Sequence, residues 1–191
     1  TSLFDNANWR EKLQFDSKAI FKGVVLKAVA YSEGNYSELV TRNYFITSEG
    51  NFRYSLPVVC ISGNPIDIYD YEKGLFVPGK SFDDWRIQNP DEQVFRKVPA
   101  NYVAKGDNTE FVVNFNFIKD GVSVVNQNIG LRGNGNSSRV YPNKSLRLYA
   151  REDYGKKTIN YPFFDDYPIQ KFKRLILRNN GQDNEQALLR D

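Results

Sequence analysis

The sequence predicts a mostly β protein with a minor helical share, α+β in class, on three observations. Phe111-Val112-Val113-Asn114-Phe115-Asn116-Phe117 alternates apolar and polar side chains, the period of a strand with one buried face. Lys119-Asp120-Gly121 then supplies tight-turn chemistry before Val122 to Val125, so two strands join in a hairpin. Other short runs rich in β-branched and aromatic residues are bounded by Gly, Pro, Asn and Asp. Together these runs predict an antiparallel sheet of about five or six strands.

Taken in order, Ala19 to Tyr31 is rich in valine and predicts a strand, Gly34 breaks it, and Glu38 to Thr47 is its partner, a pair suited to the edge of a β-sandwich. Ser48-Glu49-Gly50-Asn51 has linker composition and divides the chain into residues 1–49 and 50–191. Leu56 to Ser62 is a compact apolar strand. Asn64-Pro65 can start a short helical turn over Ile66 to Asp70, with Gly74 to stop it. Gly79 to Pro99 mixes Asp, Asn, Pro and Lys and predicts a long loop with at most a short helix. Beyond the hairpin, Gln127 to Leu131, Lys144 to Ala150 and Arg174 to Leu177 are further strands. Asp183, with Gln186 three residues on, can cap a terminal helix through Leu188-Leu189.

Composition narrows the function. Hydrophobic residues make up 40% of the 191 residues and aromatic residues 15%, enough for a substantial core. The net charge of +3 comes from 26 basic and 23 acidic residues spread along the chain, which argues against a dedicated nucleic-acid or membrane surface. No apolar run approaches the roughly 20 residues that span a bilayer. The chain has no histidine, which excludes a Ser-His-Asp triad, a Cys-His pair and any histidine metal site within it. Cys60 is the single cysteine, so no internal disulfide forms, and its apolar run reads as a buried strand.

One stretch suggests chemistry. Residues 131–155 place Gly133 and Gly135, several Asn and Ser residues and Lys144 between two strand-like runs. Glycines can enter positive-φ conformations and bring backbone amides close to a ligand. Arg132, Arg139 and Lys144 add positive charge, and a hairpin from Gln127 returning through Ser145 to Tyr149 would gather them at one end of the sheet. A phosphate could sit there. The same composition also suits a surface loop whose Gly, Asn and Ser residues only satisfy turn geometry.

The order of residues in this stretch resembles the spore-coat-protein-H (CotH) kinase family. Its members carry R-x-x-G-x-S-R, then K-S-x-R, then Y-G; here these read Arg132 to Arg139, Lys144-Ser145-Leu146-Arg147 and Tyr154-Gly155. The resemblance continues in Tyr161-Pro162-Phe163-Phe164, in Phe172 to Asp183 and in Leu188-Leu189-Arg190-Asp191, and upstream in Leu56 to Ser62 and Gly74 to Val77. It implies that residues 50–191 are the N-terminal portion of an atypical protein-kinase-like domain, an antiparallel-sheet lobe that covers the nucleotide. Residues 23–45 resemble the last strands of a small immunoglobulin-like module, so that residues 1–49 would be a partial β-sandwich. The implied cofactors are ATP with Mg2+ or Mn2+, and the implied substrate is serine or threonine on a spore-coat or cell-surface protein. The family resemblance also implies a secreted or spore-surface location.

In that reading Gly133 and Gly135 admit backbone amides to the phosphates, Ser137 and Ser138 donate hydrogen bonds, and Lys144 neutralises charge. Arg132 and Arg139 grip phosphate or acidic neighbours in bidentate pairs. The family often has two lysines where this chain has Asn143-Lys144, so only Lys144 inherits that role. Catalytic and metal-binding acids are expected beyond Asp191. Arg178, Asp183 and Arg190 also match family positions, but a helix cap and a surface ion pair explain them equally well. Two other classes stay open: a carbohydrate-binding module using Trp9, Trp85, Tyr141 and Tyr154, and a pseudokinase-like structural protein.

Overall fold

The computed structural model describes residues 23–47, 50, 52–94 and 98–179. Its centre is a five-stranded antiparallel sheet in the spatial order Arg174–Leu177, Leu146–Tyr149, Val122–Gly133, Phe111–Lys119, Val58–Ser62. Two residue periods build it. Along β6 (Phe111–Lys119), Phe111, Val113 and Phe115 are buried on one face, while Asn114 and Asn116 point to the other. In β7 (Val122–Gly133), Val125, Ile129 and Leu131 join the apolar face, and Leu148 does so from β8 (Leu146–Tyr149). Leu75, Tyr161, Phe163 and Phe172 cover that face. Phe117, Tyr161 and Phe163 meet edge to face at 5.0–5.3 Å between ring centres. Strands β5 (Val58–Ser62) and β11 (Arg174–Leu177) close the two sides of the sheet.

The opposite face is polar. Where β6 and β7 pair, asparagines oppose asparagines: Asn114 faces Asn128 and Asn116 faces Asn126. Asn114 Nδ2 donates to Asn126 Oδ1 at 2.8 Å, and Ser123 Oγ donates to Asn116 Oδ1 at 2.6 Å. Buried amides need such partners. A two-stranded ribbon lies over this end of the face: β1 (Val24–Ala28) pairs antiparallel with β4 (Val40–Tyr44), the two runs expected to be partners. It is tied down by Asn126 Nδ2 donating to the Thr41 carbonyl, Lys27 Nζ to the Gly63 carbonyl and Ser62 Oγ to Asn43 Oδ1. Farther along the same face, towards β8, the polar side chains are arginines.

Several expectations need correction. The strand read from Ala19 is described only from residue 23 and ends at Ala28; a separate small hairpin, β2 (Tyr31–Ser32) with β3 (Asn35–Tyr36), turns at Gly34, φ +85°. Helix α1 (Pro65–Tyr69) starts as expected, with Asn64 Oδ1 accepting from the Ile66 amide. It ends before Gly74, because Asp70 Oδ1 captures the Glu72 and Lys73 amides and turns the chain. Gly74 is needed for a different reason: a Cβ there would lie 2.4 Å from the Asp70 carbonyl oxygen.

The stretch read as loop from Gly79 contains α2 (Gly79–Gln88), ten residues long. Its buried Phe82 packs with Val98, Ala100, Tyr102 and Val140, contacts that no local pattern announces. β7 runs unbroken through Asn126, joining the runs Val122 to Val125 and Gln127 to Leu131 expected as separate strands, and its asparagines are met by asparagines of β6. The two remaining strands, β9 (Ile159–Asn160) and β10 (Lys171–Phe172), form a separate pair. The linker positions 48, 49 and 51, residues 1–22 of the partial module and the terminal helix through Leu188-Leu189 lie outside the described residues.

Candidate functional site

Beyond Gly133 the chain leaves β7, makes a 3-10 turn over Ser137–Val140 and enters β8 at Leu146. The Asn134 amide donates to the Ser145 carbonyl at 2.8 Å and closes the loop at its neck. A second clasp comes from Asn179, just past β11. Ser145 Oγ donates to Asn179 Oδ1 at 2.9 Å, and Asn179 Nδ2 donates to the Asn143 carbonyl at 2.6 Å.

The two glycines serve different ends. Gly135 takes φ +97°, and a Cβ there would fall 2.3 Å from Ser138 Oγ. Gly133 stays in the strand, outside the positive-φ region expected of it; its missing side chain leaves room for Arg139 Nη1, 3.2 Å from where a Cβ would stand. Arg139 fills that room and is 9% exposed. Its guanidinium donates to the carbonyls of Gly135 (2.8 Å), Gly133 (2.8 Å) and Ala104 (2.7 Å), holding the loop from within. Ser137 and Ser138 open the 3-10 turn, both half-buried.

Lys144 also points inward. Its Nζ donates to the Arg139 carbonyl at 2.7 Å and lies 3.8 Å from the centre of the Tyr102 ring. Burial lowers the Lys144 ammonium from 10.5 to about 8, and burial pushes the Tyr102 phenol up to about 12. Between about 8 and 10.5 the unfolded chain therefore keeps a proton on Lys144 that the folded chain has lost. Stability rises with pH across that window, and the cost of the buried charge is fully present below it. Relative to Lys144→Met, the wild type is expected to gain melting temperature between pH 8 and pH 10. A constant difference between the two would show that Lys144 is not buried as a charge.

Arg132 is held by acids. Its Nε donates to Glu110 Oε2 at 2.6 Å, and its Nη2 reaches Asp107 Oδ1 at 2.6 Å. Glu110 is a hub with a side chain only 4% exposed; it also accepts from Arg151 Nε at 2.7 Å, Arg151 Nη2 at 3.0 Å and Tyr154 OH at 2.8 Å. Burial alone would raise the Glu110 carboxyl, but hydrogen bonds from Arg151, Tyr154 and Arg132 outweigh it and hold the group below its ordinary range.

Between the loop and the sheet lies an open groove of about 490 Å³. Lys105, Arg132, Arg139 and Arg147 line it, with Asn134 and Tyr149, and no carboxylate is part of its wall. Lys105 Nζ donates to Asn136 Oδ1 at 3.1 Å across its rim. Its chemistry suits an anion. Arg132, Gly133, Gly135 and Arg139 of the predicted residues border it, whereas Lys144 sits behind the loop.

Sequence reasoning passed over Glu110, Lys105, Tyr149 and Arg147. Arg147 stands in the K-S-x-R motif with no site role expected of it, and the observed register of β7 and β8 sets it against Arg132. Among the aromatic residues weighed as sugar platforms, Trp85 and Tyr141 pack against the α2 cluster, Tyr154 bonds Glu110, and Trp9 lies outside the described residues. Arg178 is exposed at the end of β11; Asp183 and Arg190 lie outside the described residues. No group of three or more histidine, cysteine or acidic side chains that could hold a metal occurs among the described residues. No helix among them is long and apolar enough to cross a membrane. Comparison with family models, curated proteins and solved structures finds no match for this chain.

Proposed function

We propose that this chain forms the nucleotide-covering lobe of a CotH-like atypical protein kinase, in which the groove binds the phosphates of ATP. The observation that carries the reading is the groove itself: Lys105, Arg132, Arg139 and Arg147 line it, with Glu110 and Asp107 engaged on Arg132 beside it, under a loop whose residue order resembles the family's. The buried Arg147 Nε, which meets no acceptor among the described residues, fits the same kind of ligand. ATP would supply the phosphoryl group, with Mg2+ or Mn2+ as the metal. The receiving group would be serine or threonine on a spore-coat or cell-surface protein of an exported system.

The protein's own share is positioning. Arg132, fixed by Glu110 and Asp107, presents its guanidinium at the groove without being free to swing, and fixed charge of this kind is what phosphoryl transfer requires. Gly135, Ser137 and Ser138 shape the loop above it. Arg139 and Lys144 keep that loop in place from behind, a supporting role in place of direct phosphate contact. Residues 1–49 would be the end of an immunoglobulin-like module placed ahead of the lobe.

The test is thermal unfolding with ATP plus Mg2+ or Mn2+, against adenosine with the same metal. ATP is expected to raise the melting temperature with increasing concentration while adenosine does not, because a ligand bound only to the folded state stabilises by mass action. No shift at millimolar ATP would remove the nucleotide reading and leave a non-catalytic structural or carbohydrate-binding role.

A further inference from the structure

We infer that Arg147, set against Arg132 across the sheet, is the principal contact for a phosphate-type oxyanion in the groove. This deepens the reading above and rests on the groove being the ligand site. The register is the first argument. Arg132 of β7 and Arg147 of β8 are direct cross-strand partners, so their side chains leave the same face side by side. Like charges directly opposed across two strands destabilise a sheet unless something offsets them. For Arg132 the offset is Glu110 and Asp107. Glu110 is already shared with Arg151 and Tyr154, and Arg147 has no carboxylate partner among the described residues.

The second argument is the state of the Arg147 head group. Its Nε is buried and finds no acceptor, a condition native proteins rarely tolerate for a charged donor. It lines the groove beside Arg139, whose own guanidinium is committed to three carbonyls. On the next strand Arg174 stands opposite Tyr149, its guanidinium carbon 5.6 Å from the ring centre, which adds positive field at the same end of the face. A planar guanidinium fork matches two oxygens of a phosphate group, and an ammonium does not. The shared chemistry is a phosphate or pyrophosphate group, whether free or carried on a nucleotide.

The test measures thermal unfolding of the full chain with pyrophosphate, and separately with ATP in EDTA, at ionic strength matched with chloride. Wild type is compared with Arg147→Met and Arg147→Lys. Pyrophosphate is expected to stabilise the wild type, and Arg147→Met to weaken that binding about tenfold or more. Arg147→Lys should recover part of the loss. The unliganded melting temperature of Arg147→Met should equal or exceed that of the wild type, because the substitution removes an unpartnered charge. A fall in that temperature would mark Arg147 as structural and overturn the assignment, as would unchanged pyrophosphate binding or no stabilisation of the wild type. If ATP stabilises wild type and Arg147→Met alike, the Arg147 assignment fails while the kinase reading survives. If pyrophosphate binds through Arg147 and ATP gives no shift either in EDTA or with Mg2+ as in the preceding test, the Arg147 assignment stands and the kinase reading falls.

Discussion

Glu110→Ala is expected to lower the unfolding free energy by about 3–5 kcal/mol, the usual cost of removing one partner from a buried ion pair. The carboxylate meets two guanidiniums and a phenol with 4% of its side chain exposed, so its loss leaves Arg151 without an acid and Arg132 with Asp107 alone, side by side at Tyr149. Arg132 and Arg151 already lie 4.6 Å and 5.1 Å from the centre of that ring. Without the acid between them their repulsion acts on the end of the sheet that builds the groove. Glu110→Gln keeps the shape and loses the charge, so it separates packing from electrostatics. The pH dependence has a definite sign. A carboxyl held below its ordinary value contributes stability that is present above that value and is lost as pH falls through the lower, folded one. Wild type should therefore lose stability in acid below its ordinary value of 4.5, and Glu110→Gln should show a shallower loss. Denaturant unfolding at neutral pH and near pH 3 measures both; equal acid sensitivity in the two proteins would remove Glu110 from this role.

What the sequence made legible was the alternation. Phe111 to Phe117, the Asp120-Gly121 turn and the short apolar runs contain their own strand signals, and the hairpin that brings Arg132 to Arg147 follows from them. Helix α2 was hidden because Phe82 and Trp85 lean on Val98, Ala100, Tyr102 and Val140, residues from separate segments. Val122 to Val125 and Gln127 to Leu131 read as separate runs because Asn126 lies between them, and an amide's partner across a sheet has no mark in its own strand.

The site was legible only as an inventory of cations. Sequence shows that Arg132, Arg139 and Lys144 are positive, but not what each one faces. Glu110 lies 22 residues before Arg132 and 41 before Arg151, and the acceptors of Arg139 and Lys144 are backbone carbonyls, which every residue possesses. Cations near a glycine-rich loop therefore divide into those that build the loop and those that face its opening. Only geometry sorts them, and here it moves Lys144 and Arg139 to the first group and Arg147 to the second.

That division gives Arg139 an expected phenotype opposite to that of Arg147. Replacing Arg139 with methionine removes three charge-assisted bonds to the carbonyls of Gly133, Gly135 and Ala104, each worth roughly 1.5–3 kcal/mol and not additive, for a net loss on the order of 3–5 kcal/mol. The carbonyls of half-buried Gly133 and exposed Gly135 and Ala104 would lose the guanidinium that ties them together, so the loop would come loose and anion binding should disappear with stability. Arg139→Lys is not expected to rescue either property. One ammonium on a flexible stem cannot span acceptors on Gly133, Gly135 and a segment 35 residues away at Ala104. Melting temperature and pyrophosphate affinity should fall together in both Arg139 variants, whereas in Arg147→Met the affinity should fall and the melting temperature should not. An Arg139→Lys protein that melts with the wild type would show that the three carbonyl bonds do not hold the loop, and the supporting role assigned to Lys144, which bonds the Arg139 carbonyl, would fall with it.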